Sequence, residues 1–315
     1  MKKILILFLI ILGLYANFNN NYTIKTTYAD NSCAEIVMEV NSNVVLYKHN
    51  ENSKKFMAST TKILTAIVVI ENCNVNDVVT VTKDTVGIEG SSIYLEVGEQ
   101  LTVKELLYGL MLRSGNDCAQ TLAVYCSKSI ENFANLMNKT AKKIGATNSN
   151  FVNPHGLHND NHYTTAYDLA LISCYAMKNS IFREIVSTKS VDISFASRNY
   201  KRRLINKNKM LKEFDGSTGI KTGFTKKAGR CLVSSCIRNG MELVCVVLNC
   251  PPMFERSKSL LTESFNKFIP VKLIESDNLL GFINVNNSPK KGPIYVKNDV
   301  ILPIENDPID KVNIV

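Results

Sequence analysis

The chain has 315 residues, 45% of them hydrophobic and 21% charged, enough apolar material for one large core or two domains and too much for a disordered tail. Its net charge of +9 is scattered and forms no basic stripe interleaved with aromatics, so a nucleic-acid partner is not expected. Nine cysteines and four histidines contain no CxxC pair, so no metal is expected.

The chain opens with Lys2 and Lys3, an apolar run from Ile4 to Tyr15, and small residues at Ala16 and Ala29. That is the pattern of a secretory signal. The run is short for a span, which takes about 20 residues; the alternative is an uncleaved anchor. Residues 1–29 are read as signal and polar lead-in. The protein is expected outside the cytoplasm, where its positive charge favours an anionic envelope. Export invites a disulfide reading of the cysteines, but the odd count leaves one unpaired. Cys73, Cys118, Cys126, Cys174, Cys236 and Cys245 lie in apolar or helical segments, where cysteine acts as a small buried hydrophobe.

Next, AEIVMEVNSNVVLYKHN alternates around Asn41-Ser42-Asn43 and predicts a β-hairpin. FMASTTKILTAIVVIEN places Ile63, Ile67 and Ile70, with Leu64 and Val68, at helical spacing. DVVTVTKD predicts a short strand, and VKELLYGLMLRSGNDCAQTLAVYC two helices around a Ser-Gly-Asn turn. IENFANLMNKTAKKIGA is an amphipathic helix ending near Gly145, and YDLALISCYAMKN is another. STGIKTGF, RCLVSSCIRNG and MELVCVVLNC read as strands, with Asn239-Gly240 as a tight turn. FERSKSLLTESFNKF closes as a helix before Pro270. Strands before and after a helical block predict one antiparallel sheet in a mixed α and β fold. Residues 271–315 predict a few further strands.

Three short motifs carry chemistry. In Ser59-Thr60-Thr61-Lys62 the first and last residues share a helix face. A serine hydroxyl needs a neighbour to take its proton, and lysine takes it only when burial or a nearby cation keeps it neutral. The plain alternative is a helix cap and a solvent-facing lysine. Ser114-Gly115-Asn116 offers a hydroxyl for proton relay and an amide for a substrate carbonyl; the alternative is a polar interhelical turn. Lys221-Thr222-Gly223 lies in a strand-like run whose glycine lets a substrate backbone pair with the edge. Here the alternative is an edge strand guarded by lysine. Each motif is common; the three together, in this order, are not.

With these residues the sequence resembles the low-molecular-mass penicillin-binding proteins, specifically the serine-type D-alanyl-D-alanine carboxypeptidases, from about Ala34 to Phe268. The blocks MASTTKILTA, LLYGLMLRSGNDCAQTLA, NFANLMNKTAKKIGATNSNFVNPHGLHNDNHYTTAYDLA, GSTGIKTGFTKKAGRCLVSS and FERSKSLL share in it. The resemblance implies the serine β-lactamase and penicillin-binding-protein fold: an antiparallel sheet flanked by helices, an all-helical subdomain, and the site between them. It makes Ser59 the acyl-ester nucleophile, Lys62 its proton acceptor and Ser114 a further catalytic residue. Asn116, Lys221, Thr222, Gly223 and Phe224 would bind substrate, the backbone N–H groups of Ser59 and Phe224 forming an oxyanion hole worth about 3–4 kcal/mol per donor. Arg256 would stand near the substrate's terminal carboxylate. Pro154 and Gly156 would shape a loop in which His155 is structural.

The implied partners are peptidoglycan stem peptides ending in D-Ala-D-Ala, and β-lactams as covalent inhibitors; no cofactor is implied. The catalytic domain is expected over residues 30–270, followed at 271–315 by an incomplete β-rich C-terminal domain without an evident membrane anchor. A β-lactamase is the nearest alternative, but Asp160 is the only carboxylate in the FVNPHGLHNDN loop. An endopeptidase or transpeptidase would use the same residues, and a non-catalytic wall-binding module would not need all of them.

Overall fold

The computed structural model describes residues 32–195, 200–285 and 291–306. The signal segment and its cleavage site lie outside them. The alternating stretch after Ser32 forms the expected hairpin, strands β1 (Ala34–Glu39) and β2 (Val45–His49). A 3-10 turn (Ala58–Thr61) leads into helix α1 (Lys62–Asn72). Two short strands, β3 (Val78–Thr80) and β4 (Gln100–Thr102), pair before helix α2 (Val103–Leu112). Thr102 and Glu105 close the start of α2 with reciprocal capping bonds. Helices α3 (Asn116–Ser127), α4 (Ile130–Ile144), α5 (Ala166–Met177) and α6 (Ser180–Ser187) follow. Ser129, Thr165 and Asn179 cap the last three, each side chain accepting from a first-turn N–H. A second small pair, β5 (Ser190–Ile193) with β6 (Arg202–Ile205), and the short helix α7 (Met210–Glu213) lead back to the main sheet.

The chain then lays down β7 (Ser217–Thr225), β8 (Gly229–Arg238) and β9 (Met241–Leu248), and closes the sheet with helix α8 (Met253–Lys267). The sheet order is β2-β1-β9-β8-β7, all antiparallel. The N-terminal hairpin thus docks beside the C-terminal strands, with Val37 opposite Cys245, and β7 is left at an edge.

Each face of this sheet has its own core. Ile36, Met38, Val233, Val244 and Val246 pack against α1 and α5 and run on into the helical half. Val37, Leu232, Leu243, Cys245 and Val247 meet Leu260 and Leu261 of α8 on the other face. A sheet covered on both faces explains why β9 is buried at every position and does not alternate.

Of the six cysteines expected inside, Cys118, Cys174, Cys236 and Cys245 are buried. Cys73 and Cys126 are not: each is half-buried at the end of a helix. Pro270 falls inside a strand, β10 (Phe268–Ile274), which starts directly at the end of α8. It pairs with β13 (Val300–Glu305), and between them β11 (Leu279–Asn284) pairs with β12 (Lys291–Tyr295). Phe268, in the core under α8, and Leu302, packed against that core, tie this region to it.

Candidate active site

Ser59 sits in the 3-10 turn, three residues before the first residue of the α-helix expected to carry it. Two glycines make that turn possible. A Cβ on Gly156 would collide with the Ala58 carbonyl. One on Gly223 would sit about 3.1 Å from the Met57 carbonyl oxygen and the Ser59 backbone nitrogen. The Lys-Thr-Gly strand and the loop after Pro154 therefore clasp the serine turn from two sides. The turn is also tied from within: Thr60 Oγ1 donates to the Met57 carbonyl at 2.6 Å and Thr61 Oγ1 to the Ala58 carbonyl at 2.8 Å. Both threonines are buried.

Lys62 is fully buried at the start of α1. Its Nζ lies 3.1 Å from Ser59 Oγ, 2.7 Å from Asn116 Oδ1 and 2.7 Å from the His155 carbonyl oxygen. Burial, and then the charge of Lys221, hold this amine well below the usual lysine range. A neutral amine has two N–H groups and one lone pair. In that form Asn116 and the His155 carbonyl accept the two hydrogens, and the lone pair is left for the Ser59 hydroxyl to donate to. The third neighbour is a backbone carbonyl in the Pro154–Gly156 loop, which no side-chain motif announces.

Asn116 opens α3, fixed by its N–H to the Ser91 carbonyl (2.7 Å) and by its Nδ2 to the Glu89 carbonyl. Ser114 precedes it, buried and in left-handed backbone (φ 64°), in the turn between α2 and α3. Among the described residues no hydrogen bond joins its hydroxyl to Lys62 or Lys221. Asp117 holds the facing loop by accepting from Ser92 Oγ and from the N–H groups of Ile93 and Leu95.

On the edge strand β7, Lys221 is buried and donates to the Thr222 carbonyl at 2.8 Å. Burial, and then Lys207, bring it down to about 7. Lys207 was not singled out from sequence. It donates to Ser91 Oγ at 3.2 Å, and its charge acts on both Lys62 and Lys221. A lysine in the polar run NKNK gave no pattern to find it by. Phe224, next along β7, is exposed, with Arg230 over its ring.

Arg256, expected near the substrate's terminal carboxylate, lies away from Ser59. It belongs to α8, whose core lies on the opposite face of the sheet from α1. Its Nε and Nη2 donate to the two carboxylate oxygens of Glu35 at 2.7 and 2.6 Å, and Nη2 also to Tyr47 Oη at 2.9 Å. A guanidinium so committed, in a buried pair, is a structural charge and has no fork left for a substrate carboxylate. His162, also outside the motifs, accepts from the Val152 N–H at Nδ1, so its Nε2 carries the proton and donates to Thr61 Oγ1 at 2.8 Å. Asp160 is exposed and pairs with His158 at 3.3 Å, which leaves the loop without a buried carboxylate to activate water.

An antiparallel sheet whose edge strand faces a serine in contact with a buried lysine defines a class: the serine hydrolases of the penicillin-binding-protein and β-lactamase fold. Residues 22–251 match the family Peptidase S11, D-alanyl-D-alanine carboxypeptidase. The D-alanyl-D-alanine carboxypeptidase DacF of Bacillus subtilis (strain 168) is 31% identical over 81% of this chain and 68% of its own. DacC of Escherichia coli (strain K12) is 36% identical over 78% and 64%. The crystal structure of the Streptomyces K15 DD-transpeptidase superposes with a TM-score of 0.69 at 32% identity, over 76% of this chain and 98% of that one. The chain belongs to the Peptidase S11 family of serine-type D-alanyl-D-alanine carboxypeptidases. It spans about two thirds of the length of the first two relatives.

Proposed function

We propose that the protein removes the terminal D-alanine from peptidoglycan pentapeptides through an acyl-enzyme on Ser59. The observation that carries this reading is the Lys62 amine, placed between Ser59 Oγ and two acceptors and held well below the usual lysine range by burial and Lys221. Ser59 Oγ attacks the carbonyl between the two D-alanines as its proton passes to Lys62 Nζ. The negative charge on the carbonyl oxygen is met by the backbone N–H groups of Ser59 and Phe224. The proton reaches the leaving amine from Lys62 with Ser114 as relay, D-alanine departs, and water then hydrolyses the ester. The substrate backbone lies against the β7 edge at Thr222 and Gly223, with Asn116 beside its amide. With Arg256 committed to Glu35, Lys221 and Lys207 supply positive charge for the terminal carboxylate. A β-lactam presents its strained amide to the same serine in place of the D-Ala-D-Ala bond and acylates it.

The reading places this chemistry outside the cytoplasm, with residues 1–29 as export signal and lead-in; among the described residues no helix is long and apolar enough to cross a membrane. The catalytic domain is assigned to residues 30–270 and a β-rich extension to 271–315. The test is labelling by a fluorescent penicillin together with D-alanine release from a pentapeptide. Wild type is expected to take the label and release D-alanine, and Ser59→Ala to do neither. Persistent labelling of Ser59→Ala would overturn the nucleophile, and rapid penicillin turnover without D-alanine release would make the protein a β-lactamase.

A further inference from the structure

The cysteines divide by environment. Cys118, Cys174, Cys231, Cys236 and Cys245 are sealed in the two cores, and burial pushes the Cys231 and Cys245 thiols up to about 12. Cys33 and Cys250 are also buried, with their sulfurs and a Glu35 carboxylate oxygen within 4.8 Å of one another, against the Glu35–Arg256 pair. Cys73 and Cys126 differ from all of these. They are half-buried, and their thiols hydrogen-bond to each other.

Their place in the fold matters. Cys73 is the residue that ends α1, its N–H bonded to the Val69 carbonyl, and Cys126 lies in the last turn of α3. The opposite ends of these two helices carry Lys62 and Asn116, joined at 2.7 Å. The segment between the cysteines holds Glu89, Ser91, Ser114 and Asn116, one wall of the active site. We propose that Cys73 and Cys126 form a reversible dithiol–disulfide site that staples α1 to α3 when the protein meets a disulfide-bearing oxidant.

The two thiols are not equivalent. The hydrogen bond from Cys73 brings Cys126 down to about 7, against the opposing effect of burial and with help from Ser127 and Lys128. The same bond holds Cys73 up, with burial adding to it. Cys126 is therefore the attacking sulfur. Its thiolate attacks one sulfur of the oxidant and forms a mixed disulfide, releasing the first oxidant thiolate. Cys73 then loses its proton and attacks the Cys126 sulfur, forming the internal disulfide and releasing the second thiolate. Two cysteine thiols are oxidised, one oxidant disulfide is reduced to two thiols, and the two cysteine protons end on them. Closing the bond brings the two sulfurs to about 2.05 Å.

The test treats the full chain with oxidised glutathione, alkylates the remaining thiols and maps peptides by mass. The expected product is a Cys73–Cys126 cross-linked peptide lacking two hydrogens, absent after dithiothreitol. Its loop of about fifty residues is expected to raise Tm by roughly 5–10 °C over the reduced protein. Cys73→Ser is expected to stop at glutathione on Cys126, with no Tm rise, and Cys126→Ser to take no glutathione at residue 73. The proposal is overturned if both thiols of the folded wild type remain alkylatable, if the cross-link joins Cys33 to Cys250 instead, or if the Tm rise survives in Cys126→Ser.

Discussion

Ser59 and Lys62 illustrate how little a local motif says by itself. Three residues apart at a helix start, they are compatible with a cap and a solvated lysine. What separates the two readings is that Lys62 has no solvent at all and finds Asn116 and the His155 carbonyl from two other segments. Arg256 makes the opposite point. In sequence it falls where the family keeps a cation, yet its charge is matched by Glu35. Burial pushes the Glu35 carboxyl up, but the hydrogen bond and charge of Arg256 outweigh it and the net shift is down. Removing one partner of such a pair leaves the other buried and uncompensated. Arg256→Ala is expected to lose about 3–5 kcal/mol in urea unfolding. The molecules that remain folded should keep a penicillin acylation rate within about threefold of wild type. A large acylation defect at unchanged stability would return Arg256 to the site.

At the scale of elements, the site is a junction of one strand edge, one 3-10 turn, one interhelical turn and one loop. Gly223 is where the strand comes closest to the turn, and its neighbours there are backbone atoms that cannot swing aside. Gly223→Ala is expected to push β7 away from Ser59 by a few tenths of an ångström. That displaces the proposed oxyanion donors from each other, and acylation should fall about a hundredfold while Tm moves little. Stopped-flow acylation with a chromogenic β-lactam measures it. Acylation at the wild-type rate would show that the close approach does not set the geometry. The sheet strands were readable because short apolar, β-branched runs and the Asn239-Gly240 turn are local signals. Lys207 was not, since its role depends on a cleft made by residues far from it in sequence.

For the whole molecule, two buried neutral histidines set a response to acid. Burial, and then Lys62, hold His155 at about 3 and His162 at about 4. In the unfolded chain both titrate near about 6.5. Between those values the unfolded chain binds protons that the folded one does not, so acid favours unfolding. Stability from these groups is fully present above about pH 6.5 and is lost progressively as pH falls towards 4 and then 3. Urea midpoints measured from pH 7 to pH 4 are expected to fall steadily, and His162→Gln should flatten the slope; a slope unchanged in that variant would remove His162 from the account.

The sequence alone determined the order of strands and helices, the antiparallel sheet with its docked N-terminal hairpin, and the family, because periodicity, turn chemistry and short motifs are read within a few residues. Tertiary structure decided what each charge does. Lys62 and Lys221 lose solvent, Arg256 meets Glu35 on the far face, and Cys73 meets Cys126 across two helix ends. None of these environments is written near the residue concerned. Desolvation and charge pairing come from segments brought together only when both faces of the sheet are covered.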